Sequence, residues 1–127
     1  MSKNILIVDD AVFMRTILKN MLEKAGYVVV ADAENGKKAV EKYKELYNTE
    51  KKPNLVLMDI TMPEMDGITA LKELKKFDEK VLVVMCSSLT AQHSVVEAIK
   101  VGAKHFIGKP FVEEDVIKTI EKVISQN

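Results

Sequence analysis

Short apolar runs alternate with amphipathic segments along the whole chain of 127 residues. Each run is rich in Val, Ile or Leu and shows no alternation between apolar and polar positions, which is typical of a strand buried on both faces. The five runs lie at residues 5–8, 28–31, 55–58, 81–86 and 105–107. Helices on both sides of a parallel sheet would bury such strands, so the pattern predicts an α/β fold of this kind.

Between the runs, apolar residues recur every three or four positions, which is the period of a helix with one buried face. The first of these segments ends at Gly26, where a glycine favours a left-handed cap. The fourth is predicted to run from Thr90 to Val101. The apolar positions are Met14, Ile17, Leu18, Met21, Leu22 and Ala25 in the first segment, Ala39, Val40, Tyr43, Leu46 and Tyr47 in the second, Ile68, Leu71 and Leu74 in the third, and Val116, Ile117, Ile120, Val123 and Ile124 in the fifth. Five strands therefore alternate with five helices.

Length and composition exclude several classes of protein. A chain of this length fits one domain, which we predict to span residues 1–127. Lys plus Arg and Asp plus Glu are both 19, so the basic excess typical of nucleic-acid binding is missing. No apolar stretch approaches the roughly 18 residues of a membrane span, and there is no signal-peptide pattern. We therefore expect a cytoplasmic protein with neither a nucleic-acid nor a membrane partner.

Three acidic residues stand where predicted strands end. Asp9 and Asp10 follow the first apolar run, and Asp59 follows the third. Because parallel strands bring their carboxyl ends to one edge of a sheet, we expect the three carboxylates to lie close together. Crowded carboxylates favour a hard divalent cation, and Mg²⁺ is usually held by a few such oxygens. Taken alone, Asp9 and Asp10 could instead form a turn or cap the next helix.

Two further polar residues follow the fourth and fifth runs and suit phosphoryl chemistry. Asp59 could accept a phosphoryl group, since carboxylates form such covalent intermediates. Lys109 could neutralise phosphoryl oxygens as a compact charge, and Ser87 could donate a hydrogen bond to them. Each residue also has an ordinary interpretation, as a loop carboxylate, a solvated lysine or a strand-to-helix connector. Their convergence at one edge favours a functional site.

These residues resemble the receiver domain of two-component response regulators, and the resemblance extends over about residues 4–124. The strongest likeness within this family is to its stand-alone chemotaxis members. The resemblance implies a flavodoxin-like, doubly wound fold with a five-stranded parallel sheet in the order 2-1-3-4-5. The segments that carry the resemblance are 8–10, 58–67, 86–88, 102–104 and 109–111, with 10–15 and 59–73 carrying the likeness to chemotaxis members.

The resemblance also implies a phosphorylation switch that depends on Mg²⁺. Asp59 would accept phosphate from a sensor histidine kinase. Asp10 and Asp59 would bind Mg²⁺ together with the backbone carbonyl of Thr61, and Asp9 would act largely through metal-bound water. The chain would then be a switch that assists its own phosphorylation and dephosphorylation, rather than an enzyme in the usual sense.

The same resemblance assigns the response to three residues near the fourth and fifth strands. Ser87 and Lys109 would contact the phosphoryl group, and the Lys109–Pro110 peptide bond would be cis. Phe106 would be the switch aromatic, although an aromatic residue in a fifth strand could equally belong to the core. Phe106 lacks the hydroxyl group of the tyrosine common in chemotaxis members, so recognition through that hydroxyl is not expected.

The implied partners are a histidine kinase, a phosphatase and a downstream target such as the flagellar motor switch. The target would bind the face built from the fourth helix, fifth strand and fifth helix. A phosphorelay intermediate that passes phosphate to a histidine phosphotransfer domain remains an alternative. A Mg²⁺-dependent phosphohydrolase is disfavoured because an Asp-x-Asp pair is missing. A flavin-binding module is disfavoured because the loop after the first strand is acidic and has no phosphate cradle.

Overall fold

The computed structural model describes residues 3–62, 64–88 and 92–127, without the side chains of Gln92 and His93. Strands and helices alternate along the chain, and no helix in these ranges is long and apolar enough to cross a membrane. The elements are β1 (Asn4–Val8), α1 (Val12–Lys24), β2 (Val28–Ala33), α2 (Gly36–Leu46), β3 (Leu55–Asp59), α3 (Gly67–Phe77), β4 (Val83–Ser87), α4 (Gln92–Val101), β5 (His105–Gly108) and α5 (Glu113–Ser125).

The five strands form one parallel sheet in the order β2-β1-β3-β4-β5. This confirms the predicted fold class and strand order. The three central strands are buried, as their continuous apolar runs predict, because helices cover both of their faces. The edge strands differ from this expectation. Val28 in β2 is 52% exposed and Phe106 in β5 is 45% exposed.

The sheet separates two hydrophobic clusters that lie on its opposite faces. One cluster joins α2, α3 and α4 to the strand positions occupied by Leu6, Val8 and Met58. The other joins α1 and α5 to the alternate positions, such as Ile7 and Leu57. Side chains alternate between the faces of a strand, so the parity of a residue decides which helical layer it meets. The same alternation decides which face of the sheet the residues at the strand ends continue.

The observed elements differ from the predicted ones mainly at their ends. β3 and β4 continue through Asp59 and Ser87, because Asp59 pairs with Cys86 and Ser87 pairs with Gly108 in the sheet ladder. Gly26 has φ 92°, which confirms the predicted left-handed end of α1. The start predicted for α4 at Thr90 lies outside the described residues.

The connector between α2 and β3 is tied to the amino end of β1. The side-chain amide of Asn4 donates hydrogen bonds to the carbonyl oxygens of Glu50 and Lys52, both at 3.1 Å. The backbone N–H of Asn4 donates to Oδ1 of Asn54 at 2.9 Å. These bonds order a polar connector at the edge of the sheet opposite to the acidic residues.

Candidate acidic site at the carboxyl edge of the sheet

The carboxylates of Asp9, Asp10 and Asp59 lie together at the carboxyl edge of the sheet. Each offers an oxygen atom, and these atoms all lie within 4.8 Å of one another. Asp9 and Asp59 are only 1% and 5% exposed, whereas Asp10 is exposed. The three residues that the sequence predicts to converge are therefore neighbours, with one carboxylate open to solvent.

Strand parity explains why Asp9, Asp59 and Lys109 meet. Each lies two residues after a member of the hydrophobic cluster beneath α1 and α5, namely Ile7, Leu57 and Ile107. Side chains two residues apart share a face of the sheet, so the three polar residues continue the same face. Nζ of Lys109 lies 3.2 Å from Oδ2 of Asp9 and 3.1 Å from Oδ1 of Asp59. An ammonium group from the end of β5 thus bridges carboxylates from the ends of β1 and β3.

Burial and mutual repulsion set the ionisation of the cluster. Burial raises the pKa of Asp59, and the neighbouring carboxylates of Asp9 and Asp10 raise it further, against the opposing effect of Lys109. Burial by itself would lower the pKa of Lys109, but the charges of Asp59 and Asp9 outweigh it and the pKa is raised. The ammonium group therefore stays charged, while the ionised form of Asp59 is disfavoured.

The donor set fits a hard divalent cation. With the three carboxylates ionised, the ammonium group of Lys109 leaves the cluster with a net formal charge of −2. Carboxylate oxygens are ligands that Mg²⁺ prefers, and the carboxylate of Asp10 is exposed to solvent. Thr61, the other predicted ligand residue, lies exposed in the loop from β3 to α3. The acidic cluster and its charge are thus suited to Mg²⁺.

Asp9 forms part of a turn rather than a helix cap. Its Oδ1 accepts a hydrogen bond from the backbone N–H of Ala11 at 2.9 Å. Ala11 itself is the N-cap residue of α1 and has no side-chain cap bond. The alternative interpretation of Asp9 as a turn residue therefore applies together with its place in the acidic cluster.

The loop from β3 to α3 folds back closely onto Asp59. The backbone N–H of Gly67 donates to the carbonyl oxygen of Ile60 at 2.8 Å. A Cβ atom on Gly67 would lie 2.2 Å from the carbonyl oxygen of Asp59. Only a glycine permits this approach, and Asp66 then caps α3 through the backbone N–H of Thr69.

Ser87 and Phe106 have the opposite strand parity to Asp59 and Lys109. Ser87 is 5% exposed at the end of β4, and its carbonyl oxygen accepts a hydrogen bond from the backbone N–H of Lys109 at 2.8 Å. The following peptide bond, Lys109–Pro110, is cis. Phe106 pairs with Met85 in the sheet, and its ring is exposed rather than part of the core.

Cys86 lies directly opposite Asp59 in the sheet. It is 2% exposed, and burial followed by the charge of Asp59 raises its pKa to about 12. A thiol in this environment stays protonated at neutral pH, so Cys86 is a packing residue.

Two residues at the site have roles that the sequence analysis did not assign. Gly36 begins α2, and a Cβ atom there would lie 2.4 Å from the carbonyl oxygen of Met65 in the loop after β3. Arg15 in α1 donates a hydrogen bond to the carbonyl oxygen of Asp9. A long cationic side chain soon after Asp9 and Asp10 is a weak sequence signal for the contact of Arg15. The proximity of Gly36 to Met65 has no local signal, because it joins segments distant in the chain.

Comparisons with known proteins agree with this geometry. The chain is 54% identical to the chemotaxis protein CheY of Bacillus subtilis, over 98% of this chain and all of that protein. It is 54% identical to CheY of Thermotoga maritima, over 97% of this chain and 98% of that protein. A chain of the CheX-CheY-BeF3-Mg+2 complex from Borrelia burgdorferi has a TM-score of 0.88 and 38% identity, with 94% of this chain and 87% of that chain covered.

A family comparison identifies the same class of protein. Residues 5–121 match the response regulator receiver domain. The response regulator domain of Thermotoga maritima CheB also superposes, with a TM-score of 0.85 and 36% identity over 95% of both chains. These matches confirm the resemblance stated from the motifs. The chain belongs to the response regulator receiver domain family, whose members are signalling switches controlled by phosphorylation of an aspartate.

Proposed function

We propose that this chain is a response regulator that accepts phosphate on Asp59 from a histidine kinase and signals by binding a protein in chemotaxis. The observation that carries this proposal is the buried Asp59 carboxylate, which lies 3.1 Å from Lys109 and beside two further carboxylates. The relatives named as chemotaxis proteins support the proposed pathway. We retain the cytoplasm as the proposed location.

Phosphoryl transfer to Asp59 requires alignment and charge neutralisation more than acid–base chemistry. An ionised oxygen of Asp59 attacks the phosphorus atom, the bond from oxygen to phosphorus forms, and the bond from phosphorus to the kinase imidazole breaks. The imidazole leaves with the electron pair of the broken bond. Lys109 neutralises phosphoryl oxygens from its position between Asp59 and Asp9.

Mg²⁺ is the proposed cofactor of this reaction. Asp9, Asp10 and Asp59 and the backbone carbonyl of Thr61 would hold it, with Asp9 acting mainly through water. The ion supplies additional positive charge for phosphoryl oxygens when bound. The mutual proximity of the three carboxylates supports this set, as does a solved relative whose name includes BeF3 and Mg+2.

The proposed output is a change at the face formed by α4, β5 and α5. Ser87 and Lys109 would contact the phosphoryl group, and Phe106 would respond as the switch aromatic. This face already exposes Val96 (55%), Ile99 (43%) and Phe106 (45%), which suits an apolar contact with a target such as the flagellar motor switch. A phosphatase is a further proposed partner, and the domain would assist both its own phosphorylation and its dephosphorylation.

Labelling with acetyl phosphate tests the acceptor directly. In the presence of Mg²⁺, intact-mass measurement should show a phosphoryl adduct on the wild-type protein and on Asp32→Asn, but none on Asp59→Asn. Asp32 is a control because it is a half-exposed aspartate on β2, the edge strand that pairs with β1. An adduct on Asp59→Asn would refute Asp59 as the acceptor. Rapid transfer from Asp59 to a histidine phosphotransfer domain would instead indicate a phosphorelay intermediate.

A further inference from the structure

Asp9 is held at four of its polar atoms. Its backbone N–H donates to the carbonyl oxygen of Ala33 at 3.1 Å, and its Oδ1 accepts from the N–H of Ala11 at 2.9 Å. Its Oδ2 accepts from Nζ of Lys109 at 3.2 Å. Its carbonyl oxygen accepts from Nη1 of Arg15 at 2.6 Å. These contacts fix both the backbone and the carboxylate of one residue.

The contact from Arg15 is the one in which a side chain binds the backbone carbonyl of Asp9, and that side chain joins three elements. Arg15 lies in α1, and its side chain is only 13% exposed. While Nη1 donates to the carbonyl oxygen of Asp9 at the end of β1, Nε lies 3.2 Å from Oδ2 of Asp32 in β2. The planar guanidinium group can satisfy both acceptors at once, whereas a single ammonium group cannot do so in the same geometry.

We propose that Arg15 is a positioning residue that fixes the backbone of the Asp9–Asp10 loop in the geometry needed for Mg²⁺ binding. This inference rests on the proposed function of the acidic site. The contact of Asp9 with Lys109 involves the carboxylate that would face the ion, so it depends on what occupies the cluster. The contact with Arg15 is made to the backbone carbonyl of Asp9 and does not use that carboxylate.

The direction in which Mg²⁺ affinity changes when Arg15 is replaced distinguishes a positioning role from an effect of its charge. Arg15 is a cation, so it repels a second cation bound nearby. If Arg15 acted only through its charge, its removal would strengthen Mg²⁺ binding. If it positions the loop, its removal weakens binding, because groups that orient ligands commonly contribute 10- to 100-fold to metal affinity, as order-of-magnitude values.

Two reciprocal variants separate the two contacts of Arg15. In Arg15→Gln, the side-chain amide nitrogen lies near the position of Nε, so it can still donate to Asp32 but cannot reach the carbonyl oxygen of Asp9. In Asp32→Asn, the ion pair is removed while Arg15 can still donate to Asp9. Lys19→Met serves as a charge control, since it removes an exposed cation one turn further along α1.

Calorimetric titration of the metal-free proteins with MgCl₂ tests the proposal. We expect Arg15→Gln to bind Mg²⁺ about tenfold more weakly, and Asp32→Asn and Lys19→Met to bind nearly as the wild type does. Amide NMR signals of Asp10 and Ala11 should shift in metal-free Arg15→Gln, but not in Lys19→Met. This second readout detects loop position without the ion.

Several outcomes would overturn the inference. Unchanged or tighter binding by Arg15→Gln would show that its bond to Asp9 has no positioning role, and equal weakening in Asp32→Asn would assign the effect to the ion pair. If Arg15→Gln does not fold, Arg15→Met replaces it. Failure of both to fold would assign Arg15 to stability alone. Absence of Mg²⁺ binding by the wild type would reject the proposed function, whereas wild-type binding with unaltered Arg15→Gln rejects only this inference.

Discussion

Asp59 combines burial with a charge that the proposed chemistry requires. It is 5% exposed and lies within a cluster of like charges, and burial is the main cause of its raised pKa. Because the raised pKa means that the folded state favours the neutral form, the ionised carboxylate lowers the stability of the metal-free protein. The proposed acceptor is thus maintained at the expense of stability.

Asp59→Asn should therefore raise the free energy of unfolding of the metal-free protein at pH 7, by about 1 kcal/mol. The wild-type carboxyl group becomes neutral as pH falls through its raised pKa, so the difference between the two proteins should shrink over that range. Urea unfolding of both proteins in EDTA at several pH values measures this difference in the free energy of unfolding. A difference that is constant with pH would contradict this explanation.

The proposed role of Lys109 is to report phosphorylation, with Asp59 as the acceptor. Lys109→Ala should still be labelled by acetyl phosphate, because Asp59 remains, but the label should no longer alter the face around Phe106. NMR signals from the Phe106 ring, with and without beryllofluoride, provide the measurement. Lys104→Ala is the control, since Lys104 is exposed in the loop before β5. An undiminished response in Lys109→Ala would exclude a reporting role for Lys109.

At the scale of elements, the site depends on how closely loops approach strand ends. The start of α3 lies against the carbonyl oxygen of Asp59, and a Cβ atom on Gly67 would meet backbone at 2.2 Å. Backbone atoms cannot move aside as the end of a flexible side chain can, so the added methyl group must displace α3 or β3. Both elements position residues of the acidic site or its adjacent loop.

Gly67→Ala should lower the free energy of unfolding by about 1–3 kcal/mol, which is typical of overpacking, and should slow acetyl-phosphate labelling. Gly108→Ala is the matched control. A Cβ atom there meets nothing within 4 Å in the described part of the chain, and Gly108 is not among the described glycines with positive φ. Urea unfolding and the labelling rate of both variants provide the test. Equal stability and equal labelling rates in the two variants would show that the close approach of Gly67 to Asp59 affects neither property.

The elements themselves could be predicted largely from local patterns. Apolar runs and helical periodicity indicate five strands and five helices, and the ends of the runs indicate Asp9, Asp10 and Asp59. Contacts between backbone and distant residues could not be predicted in this way. The bond from Arg15 to Asp9 and the proximity of Gly36 to Met65 depend on how loops pack after the sheet forms. The exposure of Phe106 likewise depends on β5 being an edge strand.

At the scale of the whole molecule, the buried thiol of Cys86 measures how often the fold opens. It lies in a central region of the sheet, 2% exposed and with a pKa of about 12. Reaction with a thiol reagent at neutral pH therefore requires opening of the structure. Because Mg²⁺ is expected to bind the folded state, it should reduce the population of open molecules.

We predict that saturating Mg²⁺ slows modification of Cys86 in the wild type by about 100-fold at a concentration of 100 times the dissociation constant, if reaction occurs only after global opening. The effect should be much smaller in Asp59→Asn, which lacks one of the proposed ligand groups. Reaction with dithionitrobenzoate, followed by absorbance, measures both rates. Equal slowing in both proteins would indicate that Mg²⁺ acts elsewhere.

The opposite strand parity of Asp59 and Ser87 has a consequence for how such a protein can diversify. Asp59, with Asp9 and Lys109, belongs to the side of the sheet packed by α1 and α5, whereas Ser87 and Phe106 follow the alternation of the other side. The proposed acceptor and the two proposed response residues thus continue different faces of the sheet, while the proposed target surface takes one helix from each layer, α4 and α5. Substitutions on the α4 side of that surface can therefore change which target is recognised without entering the layer that carries Asp9, Asp59 and Lys109.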